Sequence, residues 1–227
     1  MNKQLRDDPV ILLGMHHSGT SILARILHEN GVHMQANMRH HESKFFALQL
    51  HDSLVLQGGD GWARVPIMPV EEVMHWKNEI QRLIAKKGLR KYRDAGYDGV
   101  SRWGFKDPRT CIMTPMYLKI FPNAHLVHIV RSADDVATSL AENVKRGVGN
   151  IPDREHWKAL WREYVGRVRE FGPKHKNYYE MAYQDFCFEP VEEIKKLFAW
   201  LNVEFTEKTE TFLRENIYTH RVNISEQ

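Results

Sequence analysis

A short apolar run, followed by a glycine-bounded loop and an amphipathic segment, constrains the fold of this chain more than any other feature. Residues 9–13 (PVILL) are unbroken and apolar, which is typical of a strand covered on both faces. Residues 14–19 begin and end with glycine, and residues 20–30 place apolar side chains at helical spacing. The sequence therefore predicts a strand–loop–helix unit that ends at Gly31.

The rest of the chain alternates between the same two patterns. Further strands are predicted at 102–106, 125–130 and 178–183, and helices at 42–57, 70–87, 114–120, 134–145, 154–171, 190–201 and 206–216. Segments 32–41 and 88–101 are predicted to be connections. Alternation of this kind favours an α/β, P-loop-type three-layer fold, with a mostly parallel central sheet and helices on both faces. The length of 227 residues suits one domain spanning residues 1–227.

Charge and cysteine usage narrow the class of protein. A net charge of +3 gives no argument for a nucleic-acid partner, although a local basic pocket for a small anion is compatible with it. Cys111 and Cys187 form neither a disulfide framework nor a metal-ligand spacing, which favours a reducing, cytoplasmic setting. Residues 1–8 lack the apolar core of a signal peptide, and no apolar run reaches the ~18 residues of a membrane span.

The 13 histidines raise the question of a metal site. The pairs His16-His17 and His40-His41 are adjacent, so their side chains diverge, and no pair stands at the helical spacing of a zinc site. We expect no bound metal.

The loop at residues 14–19 has the glycine spacing of a phosphate loop. Thr20 stands where a nucleotide triphosphatase carries lysine, which disfavours ATPase or GTPase chemistry. The backbone N–H groups of Ser18 to Ser21 begin a helix and lack intrahelical partners, so they are available to an anion. The alternative is a glycine-containing turn that binds nothing.

A second candidate phosphate contact follows the strand at 125–130. Arg131 leaves the carboxyl end of that strand, where ligands bind in open α/β sheets, and Ser139 lies two turns into the next helix. A guanidinium and a hydroxyl in these positions can meet on one phosphate. Alternatively, the arginine caps the strand and the serine faces solvent.

Four segments in this order resemble the PAPS-dependent sulfotransferases, where PAPS is 3′-phosphoadenosine 5′-phosphosulfate. They are GMHHSGTS at 14–21, GFKDPR at 104–109, VHIVRSADDVATS at 127–139, and YQDF at 183–186 followed by Pro190. The third and fourth are similar to the family's 3′-phosphate motif and its Tyr-Glu-Asp-Leu segment, and the second to the Lys-Asp-Pro segment of bacterial and tyrosylprotein-type members. The likeness runs from Pro9 to Leu201.

The resemblance implies transfer of a sulfuryl group from PAPS to a hydroxyl or amine, with release of PAP (the desulfated 3′,5′-bisphosphate) and no metal requirement. It implies a small-molecule or glycan acceptor, which the sequence does not identify, and leaves the oligomeric state open. It assigns the donor to His17, Ser18, Gly19, Thr20, Ser21, Arg131, Ser139 and Tyr183. Lys106 would stabilise the transferring sulfuryl group. Tyr183 has a second interpretation, as a core tyrosine with a satisfied hydroxyl.

His17 departs from the family pattern, which usually has lysine or arginine before the Ser-Gly of the loop. Beside a phosphosulfate the protonated imidazole is favoured and can act as acid to the leaving phosphate. Alternatively, His17 marks a weakened or repurposed enzyme. For the general base we expect Glu42 first and His41 second, with dipole stabilisation of a helix start as the alternative role of Glu42.

Two other functions stay open at this point: a small-molecule kinase that uses ATP, and a non-catalytic nucleotide-binding protein. Arg221 is a weaker candidate for closing over the 3′-phosphate. Aromatic residues that can line an acceptor pocket, or belong to the core instead, are Phe45, Phe46, Trp62, Trp76 and Trp103.

Overall fold

The computed structural model describes residues 4–35, 40–55, 68–145, 151 and 153–217. Its strands are β1 (Val10–Leu13), β2 (Val32–His33), β3 (Arg102–Lys106), β4 (His125–Val130) and β5 (Tyr178–Ala182). Its α-helices are α1 (Thr20–Glu29), α2 (Val70–His75), α3 (Lys77–Leu83), α4 (Leu89–Arg93), α5 (Thr114–Ile120), α6 (Ala133–Lys145), α7 (Arg154–Phe171), α8 (Tyr183–Phe188), α9 (Pro190–Leu201) and α10 (Glu207–Asn216). Two π-helices cover Phe45–Val55 and Ile84–Gly88, and 3-10 turns cover Pro108–Cys111 and Gly172–Lys174.

The five strands form one parallel sheet in the order β2-β3-β1-β4-β5. β1 lies in the centre, where Leu12 pairs with Lys106 of β3 and with Val127 of β4. The chain winds to one side of β1 and then to the other, so the carboxyl ends of β1, β3 and β4 meet at one edge. Ligands of open α/β sheets bind at such a point.

The side chains of β1 explain why this segment is apolar throughout. Val10 and Leu12 belong to one hydrophobic cluster, with residues of α1, α9 and α10. Ile11 and Leu13 belong to the other, with residues of the first π-helix, α5, α6 and α7. Each buried aliphatic side chain of this kind contributes about 1.5–3 kcal/mol. The predicted three-layer α/β fold is therefore confirmed.

Three local predictions differ from the structure. Val32 and His33, predicted to lie in a connection, pair with Arg102 and Trp103 of β3. Helical structure continues into the predicted connection at 88–101, because buried Tyr92 donates a hydrogen bond to the Gly104 carbonyl (2.9 Å). The strand predicted at 178–183 ends one residue earlier, and the next residue begins a helix.

Three of the aromatic residues considered for an acceptor pocket belong to the core. Phe45, Phe46 and Trp103 are buried, and the ring of Phe46 stacks on Phe105 of β3. The first π-helix packs its aromatic side against β3, which explains this placement. Trp76 is partly buried against the same cluster. Trp62 and Arg221 lie outside the described residues.

Candidate functional site

The loop between β1 and α1 packs so closely on its neighbours that only glycine fits at its two ends. A Cβ atom at Gly14 would lie 2.7 Å from the carbonyl oxygen of Ile129, and one at Gly19 would lie 2.7 Å from the ring of Tyr183. Gly19 also has φ 86°, in the left-handed region that favours glycine. The loop is therefore held against the end of β4 and the start of α8.

The start of α1 offers unused hydrogen-bond donors to this loop. Gly19 is the N-cap residue and supplies no side-chain cap, so the first-turn N–H groups lack that partner. The prediction that the Ser18 N–H is also available is wrong, because it donates to the Met15 carbonyl within the loop (3.2 Å). The hydroxyl of Ser18 is buried, at 1% residue exposure, and has no hydrogen-bond partner among the described residues. An unpaired buried hydroxyl costs about 1–3 kcal/mol, which an anion's oxygen atoms would recover. These residues fit a phosphate group.

His17 connects the loop to β4 and α6 by three hydrogen bonds. Its carbonyl accepts from Nη1 of Arg131 (3.1 Å), its Nδ1 lies 2.8 Å from Oγ of Ser139, and its Nε2 lies 3.1 Å from Nδ2 of Asn143. Burial, Arg131 and His40 all lower the pKa of His17. With its pKa lowered in this way, His17 is neutral near pH 7 and brings no positive charge to the loop. From the sequence, the protonated form is expected only when a phosphosulfate lies beside the ring.

Arg131 lies directly beside the loop, at the carboxyl end of β4. Its guanidinium lies 4.8 Å from the centre of the Tyr183 ring, and its Nε is buried without a hydrogen-bond partner among the described residues. The carboxylate of Asp135 is 4.0 Å from that Nε, too far for a hydrogen bond. Arg131 therefore keeps a donor for an anionic ligand, whereas Ser139 bonds to His17.

Lys106, the last residue of β3, lies in direct contact with the candidate base. Its residue exposure is 2%, and its Nζ donates to Oε1 of Glu42 (3.1 Å) and to the carbonyl of His40 (3.0 Å). Nζ also lies 3.4 Å from Oγ of Ser21 in α1. Burial lowers the pKa of Lys106, and the carboxylate of Glu42 opposes that shift. A buried cation thus connects the first turn of α1 to a carboxylate.

The backbone explains how Glu42 reaches this position. The N–H of Ser43 donates to the Lys106 carbonyl (3.2 Å), and its hydroxyl donates to Oε1 of Gln35 (2.5 Å). These bonds hold the segment before the first π-helix along the end of β3. Burial lowers the pKa of His41, the second candidate base, and the positive charges of Arg25 and Lys106 lower it further.

A buried network of charged and polar side chains is centred on Asp107, the residue that follows Lys106. Asp107 accepts hydrogen bonds from the backbone N–H and guanidinium of Arg109 and lies 2.7 Å from Nδ1 of His51. The other ring nitrogen of His51 lies 2.7 Å from the Tyr117 hydroxyl. Burial alone would raise the pKa of Asp107, but His51 and Arg109 lower it far below its usual value. Asp107 therefore stays ionised.

Sequence reasoning missed three residues around the loop. Burial lowers the pKa of His16 to about 3, and its ring lies 5.8 Å from that of Tyr164 in α7. The Tyr164 hydroxyl is buried and has no hydrogen-bond partner in the described part of the chain. Asn143 follows Ser139 by four residues, one helical turn, so the spacing alone places them on the same face of α6.

A groove with a volume of about 640 Å³ opens beside Arg131, at the carboxyl ends of β4 and β5. Trp161 and Gln184 line it, together with the ion pair of Arg169 and Glu180 (2.7 Å). It lies at the sheet edge where ligand binding is expected in this architecture.

The described ranges contain no group of three or more His, Cys, Asp or Glu side chains arranged to hold a metal ion. Within the same ranges, none of the helices has the length and apolar character that crossing a membrane demands.

Comparison with known proteins connects this geometry to one family. Residues 9–207 match the profile described as "Sulfotransferase family". No curated protein sequence gives a significant match.

The chain is similar in structure to the sulfotransferase STF1 from Mycobacterium tuberculosis, with 14% identity, a TM-score of 0.53, and coverage of 91% of this chain and 70% of that one. Mouse sulfotransferase SULT7A1, solved in complex with PAP, gives 14% identity, a TM-score of 0.56, and coverage of 94% and 65%. A sulfotransferase from Alicyclobacillus acidocaldarius gives 16% identity, a TM-score of 0.54, and coverage of 91% and 90%. At these identities the structural likeness concerns the fold.

Proposed function

The chain belongs to the sulfotransferase family, and we propose that the loop at residues 14–21, Arg131 and Lys106 form the donor site of its reaction. The reaction transfers a sulfuryl group from PAPS to an acceptor and releases PAP. The single observation that carries the site assignment is the position of Lys106, buried between Ser21 of the loop helix and the carboxylate of Glu42. One cation thereby faces both the donor loop and a candidate base.

Each residue of the proposed donor site has a role in sulfuryl transfer that suits its chemistry. When bound, PAPS supplies the sulfuryl group, whose bond to the phosphate oxygen breaks as a bond to the acceptor oxygen or nitrogen forms. The first-turn N–H groups of α1 and the Ser18 hydroxyl bind oxygen atoms of the phosphosulfate. Lys106 offsets the negative charge that develops on the leaving phosphate, and its fixed position means that little reorganisation is needed. Glu42 accepts the proton that the acceptor loses.

The other phosphate and the base of the donor are assigned to the end of β4. Arg131 has an unused buried Nε and binds the 3′-phosphate. Tyr183, whose ring lies against Gly19 and beneath the guanidinium, contacts the adenosine side. Ser139 acts at the same phosphate while its oxygen contacts His17.

The remaining assignments extend to the whole protein. We propose that residues 1–227 form a single sulfotransferase-like domain. The acceptor is a small molecule or glycan, and the weak net charge of +3 disfavours nucleic acid. Cys111 and Cys187 are not joined in a disulfide in the described part of the chain, which supports a reducing, cytoplasmic location.

Calorimetry with PAP, and separately with ATP and Mg²⁺, tests the donor class. We expect PAP to bind and ATP to bind weakly or not at all. Arg131→Ala should weaken PAP binding by about 1.5–3 kcal/mol, the worth of a hydrogen bond to a charged group. The matched control is Arg214→Ala, which removes an exposed arginine from α10 and should leave the affinity unchanged. Tight ATP binding without PAP binding would refute the proposal.

A second candidate function is non-catalytic binding of PAP, and the neutral His17 favours it because the loop lacks the usual cation. Release of PAP from PAPS in the presence of an acceptor panel separates the two functions. The proposed enzyme turns over, and Lys106→Met depresses turnover much more than PAP binding. If PAP binds but no acceptor is sulfated, the binding function replaces the catalytic one.

A further inference from the structure

Both ring nitrogens of His17 contact side chains of one helix. Ser139 and Asn143 stand one turn apart on α6 and lie 2.8 Å from Nδ1 and 3.1 Å from Nε2, respectively. The loop backbone at His17 has φ 63°, in the left-handed region that a residue other than glycine adopts only under constraint. The Arg131 bond to the His17 carbonyl adds to that constraint. The ring orientation is therefore set by residues outside the loop.

The donor and acceptor chemistry of these contacts fixes the position of the ring proton. The amide nitrogen of Asn143 can only donate, so Nε2 of His17 must be the acceptor. The proton of a neutral imidazole then lies on Nδ1, which donates to Oγ of Ser139. Because the Ser139 oxygen accepts in this bond, its own O–H is free to donate elsewhere.

We propose that Asn143 is a positioning residue that keeps His17 in the neutral, Nδ1-protonated form and so leaves the Ser139 hydroxyl proton for the donor phosphate. The part concerning His17 depends only on the described contacts, whereas the part concerning phosphate rests on the proposed function. Asn143 lies outside the motifs at 14–21 and 127–139 that carry the family resemblance.

The charges around the ring act in the same direction. Besides burial, Arg131 from the end of β4 and His40 from the segment before the first π-helix both lower the pKa of His17. The neighbouring His16 of the loop is buried, its pKa is lowered to about 3, and it is neutral near pH 7. α6 contributes neutral groups at the ring, Ser139 and Asn143. A carboxylate in place of the Asn143 amide would accept a proton from Nε2 and favour the imidazolium ion.

Nitrogen-15 NMR of the histidine rings in the full chain, recorded without ligand across pH 5 to 8, tests the first part. His17→Gln identifies the His17 signal. We expect the Nδ1-protonated form in the unaltered chain, with titration below the ordinary value of about 6.5. Asn143→Asp should raise the titration midpoint by about one unit or more, as a nearby opposite charge does. Asn143→Leu should abolish the preference for the Nδ1-protonated form.

Asn216→Asp is the control, because it adds the same charge on α10 and should leave His17 unchanged. An unaltered His17 midpoint and tautomer in both Asn143 variants would overturn the assignment. Asn143→Asp tests the titration midpoint and Asn143→Leu tests the tautomer, so the assignment can still be tested if one of the two variants does not fold.

Calorimetry with PAP tests the second part. Asn143→Leu should lose about two- to twelve-fold in affinity, the range for one neutral hydrogen bond. Equal affinity would overturn the role of Asn143 toward the donor. If the unaltered chain binds no PAP at all, the proposed function fails, while the NMR result still decides whether Asn143 sets the state of His17.

Discussion

The contact between Lys106 and Glu42 gives the sharpest test of the site, because stability and turnover should respond to its removal in different ways. Lys106→Met and Glu42→Gln each remove one charge and keep most of the side-chain volume. The double variant removes both charges. The ion pair is at 3.1 Å, with side-chain exposures of 2% for Lys106 and 16% for Glu42, so each single change leaves a buried or mostly buried charge without its partner.

The expected loss in the free energy of unfolding follows from that burial. Removing one partner of a buried ion pair costs about 3–5 kcal/mol. We expect the lower end, about 3 kcal/mol for Glu42→Gln, because Nζ of Lys106 keeps the His40 carbonyl as an acceptor. In the double variant no buried charge is left unpaired. Its cost should therefore fall short of the sum of the single costs by about 2 kcal/mol, within the range measured for contacting residues.

Urea unfolding of the four proteins measures this coupling free energy. The control cycle uses Glu210 and Arg214, an exposed i,i+4 pair on α10, where solvent screening should leave little coupling. Turnover should be lost in both single variants and should stay lost in the double variant, although its stability partly recovers. Additive stability changes at Lys106 and Glu42, within about 0.5 kcal/mol, would refute the buried-pair reasoning.

Three further predictions concern the surroundings of the site. Gly19→Ala should destabilise the chain by more than about 1 kcal/mol and weaken PAP binding, because of its φ of 86° and the Tyr183 ring 2.7 Å from the new Cβ; an unchanged melting temperature would contradict this. Asp107→Asn should cost about 3 kcal/mol in urea unfolding, since it removes the buried carboxylate from Arg109, which keeps only the more exposed carboxylate of Asp52 among the described residues. A cost below that of an ordinary surface change would refute the role of the network. Burial lowers the pKa of His16 to about 3 in the folded chain, whereas the unfolded value is about 6.5, so the unfolded chain binds a proton first as the pH falls. This one group should lower the free energy of unfolding by about 2 kcal/mol between pH 7 and pH 5. His16→Gln should flatten that pH dependence.

Much of the fold was predictable because local patterns and tertiary packing agree. β1, α1, β3 and β4 each begin and end within one residue of the predicted bounds. A largely apolar run marks β1 and β4, and a regular apolar stripe marks α1. The two-residue β2 has no pattern of its own and exists only because β3 lies beside it. The sequence also did not predict that Phe46 and Trp103 belong to the core, because aromatic rings can line a ligand pocket as well as a core.

The candidate site, like the fold, was predictable only in part. The family resemblance of the four segments was sufficient to nominate the loop, Arg131 and Lys106 as one group, and the structure brings them to one sheet edge. The contact of Glu42 with Lys106 joins segments far apart in the chain, so only a preference for Glu42 over His41 was available beforehand. Contacts of Ser139 and Asn143 with His17 depend on side-chain orientation, which no spacing rule determines.

The central position of β1 has a consequence for how the chain folds during synthesis. Val10 pairs with Gly104 and with His125, partners that leave the ribosome more than ninety residues later. Until both arrive, the Val-Ile-Leu-Leu run has no sheet to join and is exposed to association with other chains. Pairings so distant in sequence are slow to form. The loop that follows β1 therefore gains its final shape late, when β4 and Tyr183 close against its two glycines.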